Sequence, residues 1–269
     1  MTTKYYGWGL PIDISTHGWE IDRLIIVIHV IMILLFAGWL TFLTYSIFRF
    51  RARPGHKAEY HTKHFKAPTL LEVLVAITEV ILLCAFSFPI WHHYREVPTP
   101  ANAMQVRVVA EQFAWNIHYP GVDGVFGKTD PKQMNAGNPL GLVASDPAAQ
   151  DDIATINQLH IPVGVPVVVH LSSKDVIHSF FLPVMRVKQD AIPGQAATVW
   201  FQATRSGEFE IACAQLCGLG HYRMRGFFVV DEKDAYDKWM AEQLAEKGPI
   251  PVAEPAAETS NTHTEAEHS

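Results

Sequence analysis

Cysteine is scarce in this 269-residue chain, with three in all, at positions 84, 213 and 217. So few supply no disulfide framework, which excludes the stapled folds of small secreted domains. No Cys-x2-Cys-His run occurs, so no c-type haem is attached. Internal repeats, a phosphate-binding glycine loop and a nucleophile elbow are also missing. Lysine and arginine are absent from Gly248 onward. That stretch, 249–269, is polar and acidic, with the composition of a disordered tail in which His263 and His268 are solvated.

Charged side chains are absent from Leu24 to Phe48 as well, a run of 25 residues. A helix of that length reaches about 37 Å, enough to cross a bilayer with some tilt. A second apolar run, Leu70 to Trp91, has 22 residues and includes Glu72 and Glu79. Carboxylates are costly in hydrocarbon, so both are expected to face protein or water. Cys84, inside this run, reads as a packing residue. Both runs are long for the core helices of a soluble protein. They predict a hairpin of membrane spans over 21–48 and 69–93. The first lies too far from the N-terminus, and is too long, for an ordinary cleaved signal.

The loop between the spans, 49–68, carries Arg49, Arg51, Arg53, Lys57, Lys63 and Lys66 against Glu59, a net charge of +5. Flanked by apolar spans, it reads as a positive-inside signal and not as a nucleic-acid patch. The loop is then cytoplasmic. The 1–20 segment, the 94–248 domain and both termini fall outside.

The exterior portion is β-rich. Beyond Pro98 and Pro100, MQVRVVAEQFAWNIHYP alternates apolar and polar residues, the strand period. From Gly121 to Asp152, Gly, Pro, Asp and Asn predict a long loop. Strand patterns resume in QLHIPVGVPVVVHLSS, ATVWFQATRSG, GEFEIAC and RGFFVVD. Short strands at this spacing suggest a sandwich or Greek-key barrel. EKDAYDKWMAEQLAEK has helical composition with an Asp cap, and Tyr236, Trp239, Met240 and Leu244 lie at core-facing spacing.

Chemistry concentrates in CAQLCGLGHYRM, which holds Cys213, Cys217, His221 and Met224, with Asp175 and His178 upstream in SSKDVIHSF. Thiolate, imidazole and thioether together form a soft donor set, which selects copper. A mononuclear electron-transfer site needs one cysteine. The second allows two thiolates to bridge a pair of coppers, with one histidine terminal on each. Zinc competes as Cys2His2, although its ligands usually come as two close pairs and methionine serves it poorly. A Cys213–Cys217 disulfide also competes, but needs neither histidine nor methionine. Taken together the residues point to a binuclear copper centre. Its ligands are expected on a loop between the last two strands, with His178 reaching in from another loop.

Two N-terminal spans, an exterior β domain and this cluster resemble subunit II of the haem–copper cytochrome c oxidases. The likeness runs from about Trp19 to Trp239, and DVIHSF, KQDAIPG and C-x3-C-G-x2-H-x2-M are its most specific parts. The resemblance implies a two-helix transmembrane hairpin followed by an all-β, cupredoxin-like Greek-key barrel. It implies the mixed-valence copper centre CuA, with His178, Cys213, Cys217, His221 and Met224 as side-chain ligands and Gln215 giving its backbone carbonyl. It further implies an electron-input subunit of a respiratory terminal oxidase in a bacterial cytoplasmic membrane. Such a subunit accepts electrons from cytochrome c and passes them to haem in subunit I, where oxygen is reduced to water and protons are pumped. Subunit III and membrane lipid are the other implied partners. The chain alone would move electrons without reducing oxygen.

Three departures stand out. Family members commonly carry glutamate at Gln215, where its carboxylate helps hold a magnesium ion against subunit I. That ligand is missing here, although Asp190 in KQDAIPG could support a modified polar contact. The family's aromatic patch reads Gln-Trp-x-Trp, and its first Trp receives the electron. This chain has Gln112-Phe113-Ala114-Trp115, which makes Phe113 and Trp115 the electron-input candidates, although a strand-core role suits Trp115 equally well. Glu72 matches the family glutamate near the mouth of a proton channel into subunit I, but Val75 replaces the tryptophan usual three residues later. Three rivals fit less well. A quinol oxidase subunit lacks the copper ligands, a membrane-anchored copper chaperone would be thioredoxin-like, and nitrous oxide reductase needs a further large domain.

Overall fold

The computed structural model describes residues 5–6, 9–55, 57, 66–96 and 103–251. Pro98, Pro100, most of the basic loop and the tail with His263 and His268 lie outside the described residues. A short ribbon, β1 (Tyr5–Tyr6) with β2 (Leu10–Pro11), precedes helix α1 (Gly18–Arg49). The next helical stretch runs in three parts: α2 (Ala67–Leu82), a π-helical turn over Leu83–Ser87, and α3 (Phe88–Arg95). The π turn was not expected, and Pro89 explains it. Proline has no N–H, and its ring would crowd the Ala85 carbonyl in a regular helix. The turn widens instead, and the Phe88 N–H bonds back to the Leu83 carbonyl. Both stretches are long and apolar enough to cross a membrane, at 32 and 29 residues. Their apolar side chains point outward. Cys84 is exposed, not packed, because none of the described residues covers that face.

Two five-stranded sheets form the rest. One is built from β3 (Met104–Glu111), β4 (Ala114–Tyr119), β5 (Ile153–Ile156), β7 (Pro166–Ser173) and β10 (Ala197–Gln202), in the order β10-β7-β3-β4-β5. The other has β6 (Gln158–Pro162), β8 (His178–Leu182), β9 (Val187–Ala191), β11 (Gly207–Cys213) and β12 (Arg225–Asp231), in the order β6-β12-β11-β8-β9. Their inner faces bury Val106, Val108, Ile117, Leu159, Leu171, Phe180, Phe201 and Phe228 in one core. This is the two-sheet, cupredoxin-like architecture that was expected. Helix α4 (Lys233–Glu246) packs Trp239, Met240 and Leu244 against it.

Some local expectations need correcting. MQVRVVAEQFAWNIHYP is a hairpin rather than one strand, with β3 and β4 joined through Gln112 and Phe113. Three strands were missed. Ile153–Ile156 is short, His178–Leu182 is apolar without alternation, and Val187–Ala191 is polar enough to pass for a loop. Partner strands hold each of them. The 121–152 loop has no long strand but is packed, burying Leu140, Leu142 and Ala149. Lys247 caps it by donating to the carbonyls of Ala149, Gln150 and Asp152. Helix α4 is preceded by Glu232, with no side-chain cap, because the Asp231 carboxylate is taken by His160 at 2.8 Å.

The helical hairpin is sewn to the β domain. Thr16 N–H donates to the Gln202 carbonyl and Thr204 N–H to the Ile14 carbonyl, extending the edge at β10. Arg186 follows β8 and grips Asp22 of α1 in a fork, Nε to Oδ1 at 2.7 Å and Nη2 to Oδ2 at 2.9 Å, with both side chains nearly buried. His17 is buried against Tyr94 and Trp200, with ring centroids 4.5 and 4.6 Å away.

Candidate metal centre

Pairing of β8 with β11 places Phe180 opposite Cys213, and the Ala214 N–H donates to the Ser179 carbonyl. This register brings His178, the first residue of β8, beside Cys213, the last of β11. The expectation that His178 arrives on a loop is therefore corrected, since it opens a strand whose neighbours fix its position. The β11–β12 connection supplies Cys217, then a 3₁₀ turn from His221 to Arg223, with Met224 closing it. Glycine is required in this loop. A Cβ at Gly218 would stand 2.8 Å from Gln112 Nε2, and one at Gly220 would collide with the Phe113 ring.

The ligand atoms of His178, Cys213 and Cys217 all lie within 4.8 Å of one another. The two sulfurs are 3.9 Å apart and both thiols are free, so no disulfide joins them. Cys217 Sγ is 3.6 Å from His221 Nδ1 and 3.6 Å from Met224 Sδ. The Gln215 carbonyl oxygen faces Cys213 Sγ at 3.2 Å, while the Gln215 side chain is exposed. All six residues singled out in the sequence as metal donors thus converge on one spot. Met224 and Cys217 are almost fully buried and His178 completely so.

His178 is held in one orientation. Its Nε2 lies 2.8 Å from Asp175 Oδ1. An ionised carboxylate only accepts, so Nε2 carries the proton and Nδ1 keeps its lone pair. Nδ1 is buried and meets no hydrogen-bond partner among the described residues. Burying a lone pair unpaired is costly unless something binds it. Asp175 also accepts from the Gln112 and Val176 N–H groups, each at 2.6 Å. Burial pushes its pKa up, but the hydrogen bonds from His178, Gln112 and Val176 outweigh that and hold it below the ordinary carboxylate value. Burial first, and the neighbouring Cys213 second, push the Cys217 thiol up to about 11. Left to itself the Cys217 thiol stays protonated at neutral pH. A bound cation reverses that balance.

Gln112 was noticed in the sequence only as a neighbour of the aromatic pair. Besides its bond to Asp175, its Nε2 donates to the Cys217 carbonyl at 2.6 Å. One residue thereby ties the orienting carboxylate to the ligand loop. Its place in the β3–β4 turn was the only available signal. Trp115 is fully buried, with its ring 6.2 Å from His178 and 5.5 Å from Phe180. It lies in the core behind the histidine, which removes it as a surface electron-input residue. Phe113 is 37% exposed and stands over Gly218 and Gly220. Around it the ligand loop presents Leu216, Leu219 and Tyr222, with Leu219 96% exposed. Asp190 accepts a 2.6 Å hydrogen bond from Ser179. Glu72 is exposed in the second turn of α2, at the end of the hairpin away from the β domain, and takes no part in the cluster.

The chain is similar to several known proteins. Residues 104–231 match the family model for the periplasmic domain of cytochrome c oxidase subunit II. An alternative cytochrome c oxidase subunit 2 of Bradyrhizobium diazoefficiens is 35% identical over 237 residues, covering 88% of this chain and 84% of the relative. A cytochrome c oxidase subunit 2 of Cereibacter sphaeroides is 29% identical over 210 residues, covering 73% and 67%. Among solved structures, the periplasmic domain of subunit II of cytochrome oxidase (CoxB) of Bradyrhizobium japonicum is 26% identical. It covers 56% of this chain and 99% of that one, with a TM-score of 0.42.

Proposed function

The chain belongs to the cytochrome c oxidase subunit II family, and we propose that it is the electron-input subunit of a bacterial respiratory oxidase, working through a binuclear copper centre. The observation that carries this reading is the buried, unpartnered lone pair of His178 Nδ1, on a locked ring that lies within 4.8 Å of two unbonded thiols. In this reading the thiolates of Cys213 and Cys217 and the imidazoles of His178 and His221 would hold the copper pair, with the Met224 thioether and the Gln215 carbonyl as weaker donors. Bound there, the copper pair supplies a reversible one-electron couple.

The protein's part is to keep the donors still. Asp175 and Gln112 fix the imidazole and the ligand loop, so little nuclear movement accompanies a change of charge. Burial of Cys217, Met224 and His178 excludes water from the sulfurs. The exposed rim of Leu216, Leu219, Tyr222 and Phe113 suits transient contact with cytochrome c and permanent contact with subunit I. Phe113 takes the input position, and Trp115 backs His178 from within.

The positive-inside loop supports an orientation with the β domain on the periplasmic face of the inner membrane. Glu72, at the opposite end of the hairpin, is then near the cytoplasmic face, where it would serve proton uptake into subunit I. With an amide at Gln215 and Asp190 engaged by Ser179, no magnesium ligand is assigned to this chain.

The test is metal counting with paramagnetic resonance on the purified full-length chain. A copper pair per chain, with hyperfine structure from one electron shared equally between the two nuclei, is the expected result. A stoichiometric zinc ion, or the spectrum of an isolated copper, would reject the proposal. For Glu72, replacement by Ala in the assembled complex should slow proton uptake; unaltered turnover would remove that role.

A further inference from the structure

An unassigned cavity of about 560 Å³ opens where α1 meets the β domain. Its lining pairs two arginines with an apolar wall. Trp19, Arg23, Ile26 and Val27 recur along one face of α1. Arg205, from the turn between β10 and β11, brings the second guanidinium. Neither arginine forms an ion pair among the described residues, and Arg23 and Arg205 are both exposed. The carboxylates at the rim are already engaged. Asp22 is held by Arg186, and Asp13 accepts from the N–H and hydroxyl of Ser15, each at 2.9 Å. That leaves two guanidiniums facing the single charge of Asp13.

We propose that this cavity holds the headgroup of an anionic phospholipid, its acyl chains running down the Ile26–Val27 side of α1. A guanidinium presents paired N–H donors at the spacing of phosphate oxygens. Trp19 is 55% exposed, and an indole at a helix start belongs at headgroup depth, its N–H toward water and its ring toward lipid. Below it the helix face turns wholly apolar, as acyl chains require. The charge balance selects among lipids. A choline or ethanolamine headgroup would set a cation beside the arginines, whereas an anionic headgroup adds none. The inference needs only the membrane hairpin and stands apart from the copper reading.

The full chain is purified from membranes in mild detergent with the subunits that accompany it, both unaltered and as R23Q/R205Q. Retained phospholipid is counted by native mass spectrometry after washes with phosphatidylcholine or phosphatidylglycerol micelles. The unaltered protein should keep a phosphatidylglycerol through the phosphatidylcholine wash. The double variant should hold it about 30-fold more weakly, as expected for two lost cations near a membrane surface. R23K/R205K should retain most of the binding. Copper content on the same samples should not change, which separates this result from that of the metal centre. Equal retention in the double variant overturns the proposal, as does retention of phosphatidylcholine as firm as that of phosphatidylglycerol. Loss of an accompanying subunit in place of lipid overturns it too, because the arginines would then face protein.

Discussion

The helical hairpin and the β domain solve opposite problems. In the hairpin, side chains such as Leu34 and Phe36, each 68% exposed, are left largely uncovered by the described residues. Their burial is left to lipid and to other subunits. In the β domain, the same kind of residue disappears between two sheets. Backbone hydrogen bonding follows the same division. The helices satisfy their own carbonyls and N–H groups, as hydrocarbon demands. The sheets satisfy theirs between strands, some of them far apart in sequence, as where β3 pairs with β7 and β6 with β12. A metal centre that must hold its geometry therefore belongs on the sheets. The two regions join where Arg186 grips Asp22, four residues past the end of the strand that begins with His178.

That contrast is broken most sharply at the metal centre. Cys217→Ser should abolish electron sharing between paired coppers, leaving at most a single-copper spectrum. Cys217 belongs to the buried core, but serine differs from it by one atom of similar size, so the circular dichroism of the β domain should persist. A retained paired spectrum would remove Cys217 from the site.

Next in size is the junction. Asp22→Ala leaves the Arg186 guanidinium buried without its counter-charge, which costs about 3–5 kcal/mol. Thermal unfolding should shift markedly, while resonance spectra of the folded protein stay as before. Replacing both partners together, as in D22L/R186M, should cost far less. If single and double replacements prove equally harmful, the fork is not what holds the regions together.

Asp175→Asn tests how rigidly the histidine is held. An amide presents either face to Nε2, so the imidazole loses its fixed tautomer, and copper affinity should fall about 10–100-fold. Copper titration against a competing chelator reads this directly.

The smallest effect is one of pH. His17 is buried at the junction, and burial first, with His93 second, lowers its pKa to about 4 despite Asp13 and Glu20 pulling the other way. A histidine depressed in the folded state binds its proton more readily when unfolded. Its full contribution is thus present above about pH 6.5, and stability is lost as pH falls from there toward 4. Allowing for partial solvent screening, the loss is at most about 2 kcal/mol. His17→Gln should flatten the pH dependence of unfolding in that window.

How much was legible depends on the range of the interactions. The membrane runs were visible because crossing hydrocarbon is a demand on composition, met by consecutive residues. Strands β3, β11 and β12 were visible because alternate residues face the core, and β4, β6, β7 and β10 because they are short runs rich in aromatic and aliphatic residues between turn signals. His178–Leu182 and Val187–Ala191 left no such trace, since pairing to β11 and to each other makes them strands. The π turn was hidden because proline's effect on a helix depends on how neighbouring carbonyls give way. For Trp115 an electron-input role and a strand-core role suited the sequence equally well, and only pleat direction puts it in the core. Gln112 could not be read at all, since its partners lie 63 and 105 residues away.

By itself the sequence determined which atoms were available: two thiols, a thioether and imidazoles, on a domain tethered by apolar helices. Only the tertiary structure decided which nitrogen of His178 is free to bind a metal. Asp175, three residues before His178, engages Nε2, but the carboxylate is itself held by the Gln112 N–H from a turn 63 residues away, which no local run of residues encodes.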